Sequence, residues 1–389
     1  MDNLKKVSIT KLTIGSYVEK VSKQLSQVKI IKTGWVKDKK AIAELKREGV
    51  IEVVIDVDRQ QKEKKTLKKP DEKLKKRKRK ISFEQELISA KKIQQRLIAT
   101  LSDTQERVLN NIPIDILALE KMSEAILKSV ANHPHCLLCL IRVNTHTNSL
   151  IEHNIRVAVM LAQHMVFQKV NFSESIPIVL AGLAHDLGKL LLPTKLQRTS
   201  NSFTKEMNIQ RQQHVKLTMQ ILKISGGAPK LTLKLCYQQM ERLNGSGYPN
   251  NLDVSSLPKI SKLFAIIDEL DTIISGFEGN KPRGSTSAYQ YLMTQSPEFF
   301  DPDLLQAIIK SSGVYVAGSL VKLKTGKVGY VKEFKLDTAS SPIVHCFFNA
   351  RFNHHIEASD IDLSAEFIED AIEATINKND NKLALEQYI

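Results

Sequence analysis

The residues with the plainest chemistry are His185 and Asp186, adjacent in the stretch IVLAGLAHDLGKLLLP. An imidazole and a carboxylate leaving one helix end together can hold divalent cations, the carboxylate bridging two ions while the imidazole binds one. A His-Asp pair by itself carries little weight. Here Gly188 and Lys189 follow it, and further on comes Gln239-Met240-Glu241-Arg242-Leu243-Asn244-Gly245-Ser246-Gly247-Tyr248-Pro249. The glycines of that run permit positive φ and close backbone approach to a ligand, and Pro249 fixes the exit of the turn. The cysteines are Cys136, Cys139, Cys236 and Cys346. The Cys136-x-x-Cys139 spacing lies in the apolar helical run HCLLCLIRV with no second pair at zinc-finger spacing, so core cysteines are expected.

Together, HDLGK and the NGSGYP turn resemble the HD-GYP family, whose members are metal-dependent phosphodiesterases that open cyclic dinucleotides. The resemblance covers residues 132–312 and implies further site positions. His153, in LIEHNIRVAVMLAQH, stands where the family has its first histidine. His214, in FTKEMNIQRQQHVKLTMQIL, stands at a ligand histidine, and Asp268, in KLFAIIDELDTIISG, at the last carboxylate ligand. Asp271, three residues on, shares a helix side with Asp268 and is expected to be structural. By this resemblance His153, His185, Asp186 and Asp268 form a first metal site, with Asp186 and Lys189 as catalytic residues. Lys189, Gly247, Tyr248, Pro249, Lys281 and Arg283 are implied on the substrate side.

The second metal site would share Asp186 with His214 and a His-His-Glu triplet. Here that triplet reads Gln239-Met240-Glu241. A neutral amide is a poor substitute for imidazole, and a thioether suits softer metals. From His214 the next histidine is His345; Cys236, one turn before Gln239, is the nearby alternative donor. A carboxylate that some members carry four residues before the first histidine is replaced by Ser149, and Glu152 would point about 100° away on a helix. The signature Arg-Pro-Tyr appears as Lys281-Pro282-Arg283, keeping cationic character without the aromatic ring. The implied cofactor is one divalent ion per chain, iron or manganese.

These groups need elements to hold them. With 389 residues the chain is expected to form two or three domains. The fold class expected is multidomain α+β: a mainly α-helical HD-type domain, a small mixed N-terminal domain and a short C-terminal β-rich extension. Residues 1–60 contain the β-branched runs VSITKLTIGSYVEKV and GVIEVVIDVD around the helical AIAELKREG, and resemble the small domain of unknown function often found ahead of HD-GYP domains. Residues 61–82 read as a basic linker. Amphipathic periodicity predicts helices over 83–131, a connector able to pack on itself or on a partner chain. Residues 132–312 hold the chemistry, 313–365 are β-like with glycine turns, and 366–389 read as a helical or flexible tail.

The net charge of +15 is concentrated in residues 62–80, where twelve Lys/Arg face three acids for a net of +9. That tract cannot bury enough apolar area to fold alone. A solvated linker and an anionic-partner contact both remain open, but no aromatic side chain interleaves the charges, which argues against nucleic acid. No apolar run reaches about 18 residues, so no membrane span is expected, and MDNLKKVSITKL lacks an apolar leader, so a cytoplasmic location is expected. The function expected is that of a cyclic dinucleotide phosphodiesterase homologue, of cyclic di-GMP type, impaired by the loss of two second-site histidines. The alternative is an inactive nucleotide- or metal-binding module acting through a partner protein. A homodimer is compatible with either.

Overall fold

The computed structural model describes residues 4–24, 33–36, 39–57, 81–144, 149–197, 202–279, 281–376 and 388–389. The basic tract at 62–80, expected as linker or anionic contact, lies outside the described residues. The chain divides into two units, Met1–Arg79 and Lys80–Ile389.

In the first unit, β1 (Leu4–Ser8), β2 (Tyr17–Gln24), β3 (Gly34–Trp35), α1 (Lys39–Arg47) and β4 (Val50–Asp56) follow one another. The sheet runs β1-β4-β2-β3, with every pair antiparallel. Gly49, at φ 85, turns the chain out of α1 into β4, a conformation glycine adopts without Cβ strain. Val18, Val36, Leu45, Val53 and Ile55 close a small core of their own.

The second unit opens with α2 (Phe83–Leu109) and α3 (Ile116–Asn132), where amphipathic helices are expected. A capping box between Ser82 and Gln85 starts α2. Its buried Phe83, Ala90, Leu97, Leu101 and Val108 lie along one stripe. The short α4 (Cys136–Val143) carries Cys136 and Cys139, both fully buried and unpaired, as expected of core thiols.

At the centre stand α5 (Leu150–Phe167) and α6 (Phe172–Ala184). Both are apolar around most of their circumference, the pattern of helices with protein on every side. They cross at Gly182, where a Cβ would lie 2.7 Å from the Ala158 Cα. Around them lie α7 (Lys205–Ser225), α8 (Lys230–Gln238), α9 (Lys259–Ser275), α10 (Ser285–Thr294) and α11 (Pro302–Ser312). One hydrophobic core runs continuously from α2 to the first strands of the second sheet.

That sheet comprises β5 (Leu320–Leu323), β6 (Lys327–Glu333), β7 (Ile343–Asn349), β8 (His354–Asp362) and β9 (Ile372–Thr375), in the order β8-β7-β6-β5-β9. Its last strand corrects the expectation of a helical tail. Ile372, Ala374 and Ile376 alternate with polar residues, and β9 pairs antiparallel with β5, from Val321↔Thr375 to Leu323↔Ile372. A free sheet edge decides the conformation of so short a segment over its helical spacing. The architecture is multidomain α+β, and no helix among the described residues is long and apolar enough to cross a membrane.

Candidate metal centre

The side chains converge because helix ends deliver them. α5 begins at Ser149, whose hydroxyl accepts from the Glu152 N–H while the Glu152 carboxylate accepts from the Ser149 N–H. Glu152 is thus occupied as a helix cap, and His153 follows it into the interior. α6 ends at His185, and Asp186 leads into a single 3-10 turn, Leu187–Leu191, that carries Lys189. That turn lies tight against α7. A Cβ on Gly188 would sit 2.0 Å from the His214 carbonyl oxygen. The Thr218 hydroxyl accepts from the Gly188 N–H at 2.9 Å and donates to the His185 carbonyl at 3.1 Å.

His153, His185 and Asp268 place one ligand atom each within 4.8 Å of one another, and all three are buried. Asp268 Oδ1 lies 3.0 Å from His153 Nε2 and 3.3 Å from His185 Nε2, and the two nitrogens are 3.3 Å apart. Asp186 Oδ2 is 3.7 Å from His153 Nε2 and 3.6 Å from His185 Nε2; its Oδ1 is 3.6 Å from His214 Nε2. The structure therefore brings together His153, His185, Asp186, His214 and Asp268.

The imidazole tautomers follow from their outer partners. His153 Nδ1 faces the Asp271 carboxylate at 2.9 Å, His185 Nδ1 the Gly182 carbonyl at 2.9 Å, and His214 Nδ1 the Arg211 carbonyl at 2.8 Å. Each of these oxygens can only accept, so each Nδ1 carries a proton and each ring is turned with its Nε2 inward, where a metal would displace any proton held there. Three inward Nε2 atoms beside two carboxylates are a donor set that fits a divalent cation. Orphaned atoms point the same way. Asp186 Oδ1, His214 Nε2 and Gln239 Oε1 are buried with no hydrogen-bond partner.

Charge in this site follows from burial set against neighbours. Burial works against ionising Asp186, but Lys189, His185 and His214 outweigh it and hold its carboxyl below the usual range. Burial likewise opposes ionised Asp268, and the hydrogen bonds from His153 and His185 prevail. Burial would lower His153, but its two carboxylate partners raise it to about 9. His214, with burial and the Lys189 charge both against its protonation, falls to about 4 and is neutral. Burial opposes the Lys189 ammonium, yet Asp186 and Glu278 hold its pKa above the ordinary lysine value.

Gln239 and Met240 occupy the two positions where histidines are expected by resemblance. Gln239 is fully buried, and its Nε2 donates to the His185 carbonyl at 2.9 Å. Met240 is half-buried, and its carbonyl accepts from the Tyr248 N–H at 3.1 Å. Cys236 gives no rescue: its thiol faces the Ala181 carbonyl at 3.9 Å, and burial raises its pKa, keeping it protonated. Glu241 is turned to structure, its carboxylate accepting from the N–H groups of Asn250 and Leu252. This folds the glycine loop back on itself. Gly247 lies where a Cβ would meet the Arg242 nitrogen at 2.4 Å, and Gly245 has φ 76. The Tyr248 ring stands edge-on to His214 with centroids 6.1 Å apart, and a cis bond joins it to Pro249. Burial pushes the Tyr248 phenol up to about 12, so it stays neutral.

Lys281 and Arg283 are not among these residues. Both are exposed, and the Arg283 guanidinium lies over the Tyr291 ring at 5.2 Å. Four residues that the sequence reading did not single out do belong here. Phe277 stacks on His153 with centroids 4.1 Å apart. Glu278 bridges Lys189 and Arg211 from a backbone at φ 62, in the left-handed region. Arg156 and Arg142 hold the buried Asp271 that orients His153, at 2.9 and 3.2 Å. The signal for Arg156 is an arginine inside the apolar run IRVAVMLA, which needs a buried acid. Glu278 has no comparable local signal.

Residues 141–304 match the family model of the HD domain, and residues 4–130 match that of a domain of unknown function, DUF3391. A cyclic di-GMP phosphodiesterase of Pseudomonas aeruginosa is 29% identical over 256 residues, covering 64% of this chain and 60% of the relative. A cyclic di-GMP phosphodiesterase response regulator of Xanthomonas campestris is 25% identical over 169 residues, covering 42% of this chain and 43% of the relative. A 3'3'-cGAMP-specific phosphodiesterase of Vibrio cholerae is 23% identical over 239 residues, covering 61% of this chain and 43% of the relative. The chain thus spans less than two thirds of the length of each. It carries a match to the HD domain preceded by a match to the domain of unknown function, and the relatives it resembles are phosphodiesterases of cyclic di-GMP or 3'3'-cGAMP.

Proposed function

We propose that this protein is a metal-dependent phosphodiesterase acting on a cyclic dinucleotide of the cyclic di-GMP type. One cation site, formed by His153, His185, Asp186 and Asp268, is retained, and a second is weakened. The observation that carries this reading is the inward set of three Nε2 atoms, each ring fixed by an acceptor behind its Nδ1. A divalent ion, iron or manganese by family resemblance, would supply positive charge to polarise a phosphodiester and to acidify water. The chain's residues set up the rest. Asp186 and Asp268 are held ionised, Lys189 keeps a fixed cation against Asp186, and Phe277 covers one face of His153. The loop at Gly247, Tyr248 and Pro249 shapes the approach beside His214. Lys281 and Arg283, exposed outside the buried cluster, are candidates for the nucleotide's outer phosphate.

The weak point is the second site, where Gln239 and Met240 stand in the positions that resemblance gives to imidazoles. Loss of a second cation should cost several kcal/mol of transition-state stabilisation, each 1.36 kcal/mol being about tenfold in rate. A second reading follows from Gln239, whose amide is engaged with the His185 backbone. In that reading the protein binds nucleotide or metal without turnover and signals through a partner protein. Hydrolysis of cyclic di-GMP by the purified full chain separates the two. The enzyme reading expects slow turnover abolished by Asp186→Ala and raised at least about tenfold by Gln239→His with Met240→His. Absence of turnover in both the native and the doubly substituted chain would establish the binding module instead.

A further inference from the structure

A second cluster of potential ligands lies apart from the catalytic candidates. His133 closes α3 and His135 precedes α4. Pro134 between them cannot continue a helix, so both imidazoles leave a single turn. Glu333, the last residue of β6, comes to meet them from two hundred residues away, its Oε2 3.0 Å from His133 Nε2. The three residues place one ligand atom each within 4.8 Å of one another. His133 and His135 are 7% and 5% exposed, while the Glu333 side chain is 29% exposed.

An ordinary ion pair accounts for His133 with Glu333 but leaves His135 unexplained. Its Nδ1 is buried and has no hydrogen-bond partner, a costly state for an imidazole nitrogen. Its ring is fixed against Phe334, centroids 4.2 Å apart, and His133 against Phe83 at 5.4 Å. The neighbouring ammonium of Lys332 is engaged elsewhere, with Glu84 at 2.6 Å and Asp360 at 2.5 Å. Two imidazoles and one carboxylate are a donor set suited to zinc and similar borderline ions, with a fourth position available to water on the exposed Glu333 side.

We propose that His133, His135 and Glu333 form a zinc-class cation site, separate from the HD site, that ties the α3–α4 turn to the end of β6. The ion has a structural part, since it joins a helical turn to the C-terminal sheet and favours the folded state by binding it alone.

The test is zinc uptake by the full chain after metal removal, compared across variants with stability measured in parallel. The native chain should take up one zinc ion more than His135→Ala or Glu333→Gln. Asp268→Ala, altered only at the HD site, should still take up that ion and gain in melting temperature from it. Adding His135→Ala to Asp268→Ala should abolish the gain. Glu333→Gln changes a partly exposed side chain and carries the same comparison if His135→Ala does not fold. Equal zinc uptake by the native chain and Glu333→Gln, or no zinc-dependent gain in Asp268→Ala, would overturn the proposal.

Discussion

At the scale of single residues, the site is defined by what stands behind each imidazole. Asp271 fixes the proton on His153 Nδ1 while two buried arginines hold Asp271 ionised against the effect of burial. Asp271→Asn should therefore act twice. Removing the charge leaves Arg142 and Arg156 uncompensated, a loss of about 3–5 kcal/mol of stability expected for a broken buried pair. Metal affinity should fall about 10–100-fold through the misdirected histidine. Chemical denaturation and metal titration read the two effects separately; unchanged affinity would remove Asp271 from the site.

The same residue sets a pH dependence. Without metal, His153 is raised to about 9 from its ordinary 6.5. Its contribution to stability is complete below about pH 6.5 and is lost as pH rises through 9. Metal must displace that proton, so uptake near neutral pH should release protons, and affinity should rise with pH toward 9. Calorimetry in buffers of differing ionisation enthalpy would detect the release. Buffer-independent heats would contradict the protonated, metal-free His153.

At the scale of elements, local sequence signals and long-range contacts divide the account. The His185-Asp186 pair, the glycine loop and the helices of 83–131 were legible because each is written in a few consecutive residues. The capping box at Ser149 and Glu152 was equally local, though its Glu served the helix rather than a metal. Glu278 was not legible, because its role depends on Lys189 and Arg211 arriving from other elements and on a backbone at φ 62. β9 lies in the stretch read as a helical or flexible tail; its isoleucines fit a helical spacing as well as a strand alternation, and pairing with the edge of β5 makes it a strand. The tight joint between the Leu187–Leu191 turn and α7 belongs to this scale. Gly188→Ala would place a Cβ 2.0 Å from the His214 carbonyl and 2.5 Å from the Thr218 nitrogen. The turn and α7 must then separate, at a cost of about 1–3 kcal/mol or more, carrying Lys189 away from His214. A lowered melting temperature together with lost metal binding is expected; a native melting temperature would show that the joint is looser than the geometry indicates.

At the scale of the whole molecule, one hydrophobic core carries the helical domain into its C-terminal sheet, and a second, separate core closes the N-terminal unit. The metal-centre candidates all lie in the second unit, on α5, α6, α7 and α9 and the turns between them. The central claim is that one cation site survives there intact while its neighbour has lost two imidazoles at Gln239 and Met240. The iron and manganese content of the full chain, purified without oxygen, tests this most directly. The account predicts about one ion of the two metals combined per chain, abolished by His185→Ala. Two or three ions per native chain, or one ion unaffected by His185→Ala, would contradict it.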